Sequence, residues 1–341
     1  MMPHSFNTQH STLNTHHSSL NTRHGVLNLL KPPGMTSHDA VAFVRRVLKE
    51  KRVGHTGTLD PGAAGVLPIC VGQATRLVED LQAGTKRYLA EATFGQETDS
   101  GDLLGEVVRT TDASALQLES LREVLGRFRG EIEQTPPLHS AIKVGGQKLY
   151  DLARSGQTVE IPTRRVIVSH LHVTRWQDGV NPRAMLDIEC SGGTYIRSLV
   201  RDIGRELLSA ATMSFLLRSR SGLFSVEDAV TPEEFEAAPQ LLSLRGILQQ
   251  LASFAHTSDE LVLALWQGKQ VEMPPIPSLR ERKEREEELA LLSRRPVSIS
   301  RMRGDEGPIL IENGAQTLFA LASRDDNGQL KADKVFDLRG D

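Results

Sequence analysis

The sequence predicts an α+β protein in two parts. Strands and helices mix without regular βαβ alternation up to about residue 255, and a turn-rich tail follows from His256. Three observations carry this expectation. The chain has 341 residues, more than one compact core usually needs. A period-two run at Tyr88–Phe94 and a 3.6-period run at Ile196–Leu207 are followed and preceded by further strands in no doubly wound order. Beyond His256 aromatic residues are few, and only short strand candidates remain, at Ile309–Glu312 and Thr317–Leu321.

Composition narrows the classes. Apolar content of 39% and charged content of 24% are ordinary for a soluble globular protein. The formal net charge is −3, so any nucleic-acid binding must come from local basic surface. Cys70 and Cys190 match no CxxC pattern and make no disulfide framework, which fits a reducing cytoplasm and supplies no zinc set. No stretch approaches the roughly 18 continuous apolar residues of a membrane helix, and the first residues lack an apolar signal core.

The elements follow in order. His10–His16 is nearly repeated as His17–Arg23, with one Leu per unit and no coiled-coil seam. Ser, Thr, Asn and His cannot bury enough apolar area to offset ordering entropy, so residues 1–23 are expected to be a disordered extension. Gly25–Leu30 reads as a strand, and Lys31-Pro32-Pro33-Gly34 as a turn. Thr36-Ser37-His38-Asp39 has capping-box form and opens a helix with Val41, Val44, Val47 and Leu48 on its apolar face. Arg45, Arg46, Lys49 and Arg52 lie off that face, either as solvated surface or as phosphate contacts. A helix is expected over Leu116–Phe128, then loop, short helix and turn over Pro136–Gly156. Strands are expected at Val166–Trp176 and Ala184–Cys190, broken by Gly192-Gly193 before a helix with Ile196, Leu199, Val200, Ile203 and Leu207 on one face. In the tail, Asp326-Asn327-Gly328 is a hairpin signal. The mixed charge of Arg280–Arg295, inside Pro274–Pro296, reads as a solvated helical insertion.

The segment that could carry chemistry is Gly54-His55-Thr56-Gly57-Thr58-Leu59-Asp60-Pro61-Gly62-Ala63-Ala64-Gly65-Val66-Leu67-Pro68. It lacks the Gly-Lys-Ser/Thr of a phosphate loop. Pro61 pushes the backbone of Asp60 towards extended geometry, and the glycines let other backbone approach closely. That would hold one carboxylate at the floor of a cleft, although a lone Asp-Pro is more often a structural Asx-turn. Glycoside hydrolysis uses two facing carboxylates, and no second one is evident. Of three tyrosines in the chain, Tyr88 begins a strand and Tyr195 sits with Arg197 at a strand-to-helix junction. Singly, each is also a half-buried tyrosine with its hydroxyl at the surface.

Taken together, these segments resemble the ordered motifs of the TruB family of tRNA pseudouridine synthases. The motifs are Lys31-Pro32-x-Gly-x-Thr-Ser, Gly54–Pro68, Lys86-Arg87-Tyr88, Gly193-Thr194-Tyr195-Ile196-Arg197 and Phe215-Leu216-Leu217-Arg218. The resemblance spans roughly residues 25 to 225. It implies a catalytic domain over residues 24–255 with a mixed or antiparallel sheet and flanking helices. An RNA-gripping insertion would occupy 127–157, and a small β-rich PUA-like domain 256–341, interrupted by 274–296. It implies conversion of uridine 55 in the T arm of tRNA to pseudouridine. Asp60 matches the nucleophile and Arg197 the arginine that keeps it ionised and oriented. Tyr88 matches the aromatic stacked on the flipped base, and Tyr195 the tyrosine proposed to take the C5 proton. An ordinary phenol, with pKa about 10, would need a shift or a water relay for that role. His55, Leu216, Lys31, Asp102 and Arg154 match substrate-binding positions. Whether Asp60 attacks C1′, attacks C6 or removes a proton stays open. The reaction needs neither cofactor nor metal, and the implied enzyme is a cytoplasmic monomer without an obligatory protein partner. The sequence departs from the family at Gly62-Ala63-Ala64, where many relatives carry a bulkier residue and a hydroxyl. Two rival readings are the guide-RNA-dependent catalytic subunit of H/ACA particles, whose long basic segments are missing here, and a tRNA-remodelling protein with incidental catalysis.

Overall fold

The computed structural model describes residues 24–137, 143–144, 147–148, 161–251, 253–256, 264–265, 267–270, 309–312, 318–324 and 329–337. Residues 1–23, Arg154, the 274–296 insertion and the turn residues 326–328 lie outside them. Two compact units divide the chain: a larger one of residues 28–69 and 77–239, and a smaller one of residues up to 27, 70–76 and from 240.

The chain enters β1 (Gly25–Lys31) and turns into α1 (Ser37–Leu48). The predicted capping box is present: Thr36 Oγ1 accepts from the Asp39 amide, and Asp39 accepts from the Thr36 amide. Val41 and Val44 are buried, and Arg45, Arg46, Lys49 and Arg52 are exposed. Next come β2 (Val53–His55), β3 (Ala64–Val71), α2 (Val78–Ala83) and β4 (Lys86–Phe94). On β4, Tyr88, Ala90, Ala92 and Phe94 face the core, as their alternation predicts.

A two-stranded ribbon, β5 (Gln96–Thr98) with β6 (Val107–Thr110), precedes α3 (Leu118–Leu125). This helix is shorter than expected, because Gly126–Phe128 tightens into a 3-10 turn. After β7 (Gly130–Gln134), β8 (Lys143–Val144) and β9 (Gln147–Lys148) pair antiparallel, where the sequence was expected to form loop and short helix. The Gly145-Gly146 between them is a turn dipeptide, the signal for such a hairpin. β10 (Arg164–Gln177) and β11 (Arg183–Cys190) pair antiparallel and extend the expected strands at both ends or one.

α4 (Ile196–Glu206) follows, burying Ile196, Leu199, Val200 and Ile203, while Leu207 is its C-cap. β12 (Ala211–Ser221), β13 (Phe224–Ser225) and α5 (Pro232–Ala237) close this stretch. The sheet order β1-β3-β12-β4-β11-β10-β7 is mixed: β3 and β12 run parallel, whereas β12, β4, β11, β10 and β7 are successively antiparallel. This is the α+β architecture expected.

In the smaller unit, β14 (Leu242–Ser243) pairs with Val26 and Gly25 ahead of α6 (Leu244–Leu251). β15 (Ser253–His256), β16 (Ile309–Glu312), β17 (Leu318–Arg324) and β18 (Leu330–Asp337) form a four-stranded sheet. Its core gathers Leu265, Ile309, Ile311, Ala320, Ala322 and Leu330. β17 and β18 pair antiparallel down to Arg324 opposite Leu330, flanking the Asp-Asn-Gly signal.

The packing of α4 on β12 is tight at one point. A Cβ added to Gly204 would lie 2.5 Å from the Ala211 Cβ and 2.9 Å from its backbone nitrogen. Helix propensity alone favours alanine over glycine by about 1 kcal/mol, whereas overpacking costs about 1–3 kcal/mol. Gly204→Ala is therefore expected to lower the unfolding midpoint in urea; a higher midpoint would show that α4 can slide on the sheet.

Candidate active site

The loop between β2 and β3 is tied down from several sides. Ser37, in the first turn of α1, donates from Oγ to the Leu59 carbonyl (3.0 Å) and accepts from the Leu59 amide (2.9 Å). Lys31 is 0% exposed, and its ammonium donates to the carbonyls of Pro32 (2.9 Å), Met35 (2.6 Å) and Pro61 (3.5 Å). Three donors on the ammonium meet three carbonyls. The Gly34 amide bonds to the same Pro61 carbonyl (2.8 Å), and the Ala63 amide returns to the Asp60 carbonyl (3.0 Å). Asp60 is thus held by its neighbours on both sides.

Its carboxylate meets Arg197, on the first turn of α4. Nε lies 2.9 Å from Oδ2, and the Nη2 donor lies 3.2 Å from Oδ1, a two-point fork. Nη1 of the same guanidinium donates to the Ser100 carbonyl at 2.8 Å and lies 3.9 Å from Asp102 Oδ2. The chain passes this close because residue 101 is glycine: its φ is +76°, and a Cβ would sit 3.2 Å from that of Arg197. The Arg197 side chain is 6% exposed and that of Asp60 32%, so the arginine is the wall and the carboxylate the open face.

Burial pushes the Asp60 carboxyl above its ordinary pKa of 3.8, with Asp102 adding to the rise and Arg197 and Lys31 opposing it. The arginine pairing expected from sequence is present, but it limits a rise instead of producing a fall. The ammonium of Lys31 is lowered to about 8, chiefly by burial, against the pull of Asp60. Burial, then the charges of Arg218 and His38, lowers His55, whose Nδ1 accepts from the Gly57 amide at 3.3 Å. Neutral imidazole is the form that fits this acceptor role.

Tyr88 is 8% exposed and stands opposite Arg218 of β12 and Ile188 of β11. Burial raises its phenol above the ordinary value. Leu216 is buried on β12 opposite Ala90. Tyr195 caps α4; its amide donates to Gln134 Oε1 (2.8 Å), and Gln134 Nε2 donates back to its carbonyl (3.0 Å). The Arg164 guanidinium lies 5.2 Å from the Tyr195 ring centroid.

The sequence revealed no second carboxylate, yet Asp102 shares the guanidinium of Arg197 with Asp60. It is held by Ser100 Oγ (2.7 Å) and the Leu104 amide (3.0 Å). Sharing one arginine, the two do not face each other across a bond in the manner of a glycosidase pair. Lys31 is grouped by sequence with substrate-binding positions; the structure places its ammonium inside, bracing the loop. Ser37, Gln134 and Arg218 went unassigned. Arg218 ends the last motif and could have been found there; Gln134 carries no signal in the sequence. Arg154 lies outside the described residues. Among the described residues, no group of three His, Cys, Asp or Glu is arranged to hold a metal ion.

Chemically, this is one oriented carboxylate, partly open to a ligand, with the Tyr88 phenol near enough to feel its charge. Arg197→Lys should weaken it, since a single ammonium cannot span both carboxylate oxygens and the Ser100 carbonyl. Breaking a buried pair costs about 3–5 kcal/mol; with the charge kept and Asp60 partly solvated, a loss of about 1–2 kcal/mol is expected. Denaturant unfolding of the variant checks this, and wild-type stability would contradict the fork's role.

The family described as "TruB family pseudouridylate synthase (N terminal domain)" matches residues 45–196. A "tRNA pseudouridine synthase B" of Symbiobacterium thermophilum is 55% identical over 210 residues, covering 62% of this chain and 70% of that relative. One from Moorella thermoacetica is 45% identical over 263 residues, covering 74% and 86%. Among solved structures, "Crystal Structure of a Cbf5-Nop10-Gar1 Complex" matches with a TM-score of 0.62 and 25% identity over 93% of this chain and 86% of that one. The mixed sheet with flanking helices is thus a pseudouridine synthase fold, and the small β-rich sheet after it agrees with a PUA-like domain. With motifs, fork and relatives in agreement, the chain belongs to the TruB family of pseudouridine synthases.

Proposed function

We propose that this protein converts uridine 55 in the T arm of tRNA to pseudouridine, with Asp60 as the nucleophile. The observation that carries the proposal is the Asp60–Arg197 fork, set in a loop that two buried groups, Lys31 and Ser37, hold in place. Support for tRNA as substrate comes from the relatives named tRNA pseudouridine synthase B, at 45–55% identity. The likeness to the Cbf5-Nop10-Gar1 complex rests on 25% identity and is the weaker ground.

The reaction exchanges one bond for another. N1–C1′ breaks, the uracil turns, C5 bonds to C1′, the C5 proton leaves and N1 gains a proton. The target nucleotide is flipped from its loop at a cost of a few kcal/mol. Stacking on Tyr88, about 1–3 kcal/mol, with Leu216 as an apolar wall, offsets that. His55, neutral and half-buried, supports the flipped-out loop, and Tyr195, fixed through Gln134, takes the C5 proton. Asp102 serves through Arg197, and Arg154 belongs to the gripping insertion at 127–157. Residues 24–255 form the catalytic domain and 256–341 an accessory RNA-binding domain, interrupted at 274–296; residues 1–23 are dispensable. The enzyme works in the cytoplasm as a monomer, without an obligatory protein partner, metal or cofactor.

Purified protein incubated with an unmodified tRNA transcript is expected to produce pseudouridine at position 55 and nowhere else, read by chemical mapping. Asp60→Asn should keep the shape and the tRNA affinity while turnover falls by at least about 1,000-fold, about 4 kcal/mol of barrier. Near wild-type turnover in that variant would remove Asp60 from the mechanism, and modification of another position would replace the substrate assignment.

A further inference from the structure

Arg218 ends the last sequence motif and has no part in the proposed chemistry, yet it is 2% exposed and among the largest buried side chains of the described residues. Its Nε donates to the Val66 carbonyl at 2.7 Å, Nη2 to Gly57 at 3.1 Å and Nη1 to Thr58 at 3.4 Å. Across the β12–β4 pair Arg218 stands directly opposite Tyr88, and its guanidinium acts on the phenol both as a charge and as a side-chain hydrogen-bond partner. It therefore joins both ends of the loop carrying Asp60 to the aromatic side chain proposed as the base platform.

The backbone of Arg218 is fixed as firmly as its side chain. It stands opposite Gly65 in the parallel β3–β12 pair and opposite Tyr88 in the antiparallel β12–β4 pair. Gly65 has φ +115°, and a Cβ there would lie 2.2 Å from the Arg218 carbonyl oxygen, so the two backbones are in contact. A planar guanidinium with donors in fixed directions, anchored at its root and bonded at its tip, holds its acceptors at one separation. Burying a charge this deeply is costly unless every donor is used.

We propose that Arg218 is a positioning residue that locks Tyr88 to the Asp60 loop and so fixes the separation between base platform and nucleophile. The proposal rests on the reading of Tyr88 and Asp60 given above. The carbonyls of Gly57 and Thr58 precede Asp60 by only a few residues, so loss of the lock lets the carboxylate drift while Arg197 still pairs with it. A misplacement of about 1 Å at a reacting group can cost about 100-fold in rate. Binding draws on the wider RNA surface and should change little. A lysine in this place keeps the charge but cannot reach the carbonyls and the phenol together.

The test uses the full chain with Arg218→Lys. The protein has three tyrosines, so 3-fluorotyrosine labelling gives a readable fluorine signal for Tyr88, assigned with Tyr88→Phe. In folded Arg218→Lys, kcat on a uridine-containing T-arm hairpin should fall about 100-fold, with Kd for that RNA within about 3-fold of wild type, and the Tyr88 resonance should move. Tyr88→Phe should cost less kcat in the Arg218→Lys background than alone, because the bond it removes is already broken. Unchanged kcat, an unmoved resonance or fully multiplicative losses would each overturn the proposal. If Arg218→Lys does not fold, Tyr88→Phe cuts the same bond from the other side. Reduced kcat with retained RNA affinity is then expected, and unchanged kcat overturns the lock. The fluorine signal needs no turnover, so it reads the lock even if the wild-type protein makes no pseudouridine and the functional reading fails.

Discussion

A carboxylate withdrawn from water tends to take up a proton, and a protonated Asp60 is neither a nucleophile nor a base. Burial raises its pKa, and the nearby Asp102 raises it further. Arg197 opposes both with two short contacts, and Lys31 adds a second positive charge from within. The architecture around the cleft can be understood as what this one pair needs. α4 must begin where it does, so that Arg197 falls in its first turn. Ser100 and Asp102 must reach the guanidinium, which is why the chain passes it at a glycine. The Gln134 side chain clasps the backbone of Tyr195, two residues before Arg197, and fixes the start of that helix.

The loop that carries Asp60 has little regular structure of its own, and its backbone groups are satisfied by side chains from elsewhere. Ser37 serves Leu59, Lys31 serves Pro61, and Arg218 serves Gly57, Thr58 and Val66. Buried carbonyls without partners are costly, so these polar residues are part of the loop's stability as much as of its shape. Two of them are full charges with almost no exposure. Each is tolerated because its donors meet carbonyls at hydrogen-bonding distance, and the ammonium of Lys31 still feels the burial, with its pKa brought down to about 8.

Much of this was legible before the fold. The period-two burial of Tyr88 to Phe94, the apolar face of α4 and the Thr36 capping box follow from local spacing, and each is present. Asp60, Tyr88, Tyr195 and Arg197 stood out because their motifs recur in order. What sequence could not show was pairing at long range. Ser37 stood only as a helix-opening residue at the end of the first motif, and Gln134 carried no signal. Asp102 looked like a polar residue near a cleft, because nothing local tells that Gly101 lets it share an arginine ninety-odd positions away. The β8–β9 pair was missed for a different reason: two-residue strands have no period to detect.

The most direct measurement of the central claim is the titration of the Asp60 carboxyl in the free protein, by carbon-detected NMR of selectively labelled aspartate with Asp60→Asn to assign the signal. Arg197 and Lys31 oppose the burial that raises its pKa. The account predicts a midpoint above the ordinary 3.8. Removing Lys31 by Lys31→Met should move that midpoint further up, since one of the opposing charges is gone. A midpoint at or below the ordinary value, or one that Lys31→Met leaves unmoved, would contradict the balance of burial and pairing on which the site is built.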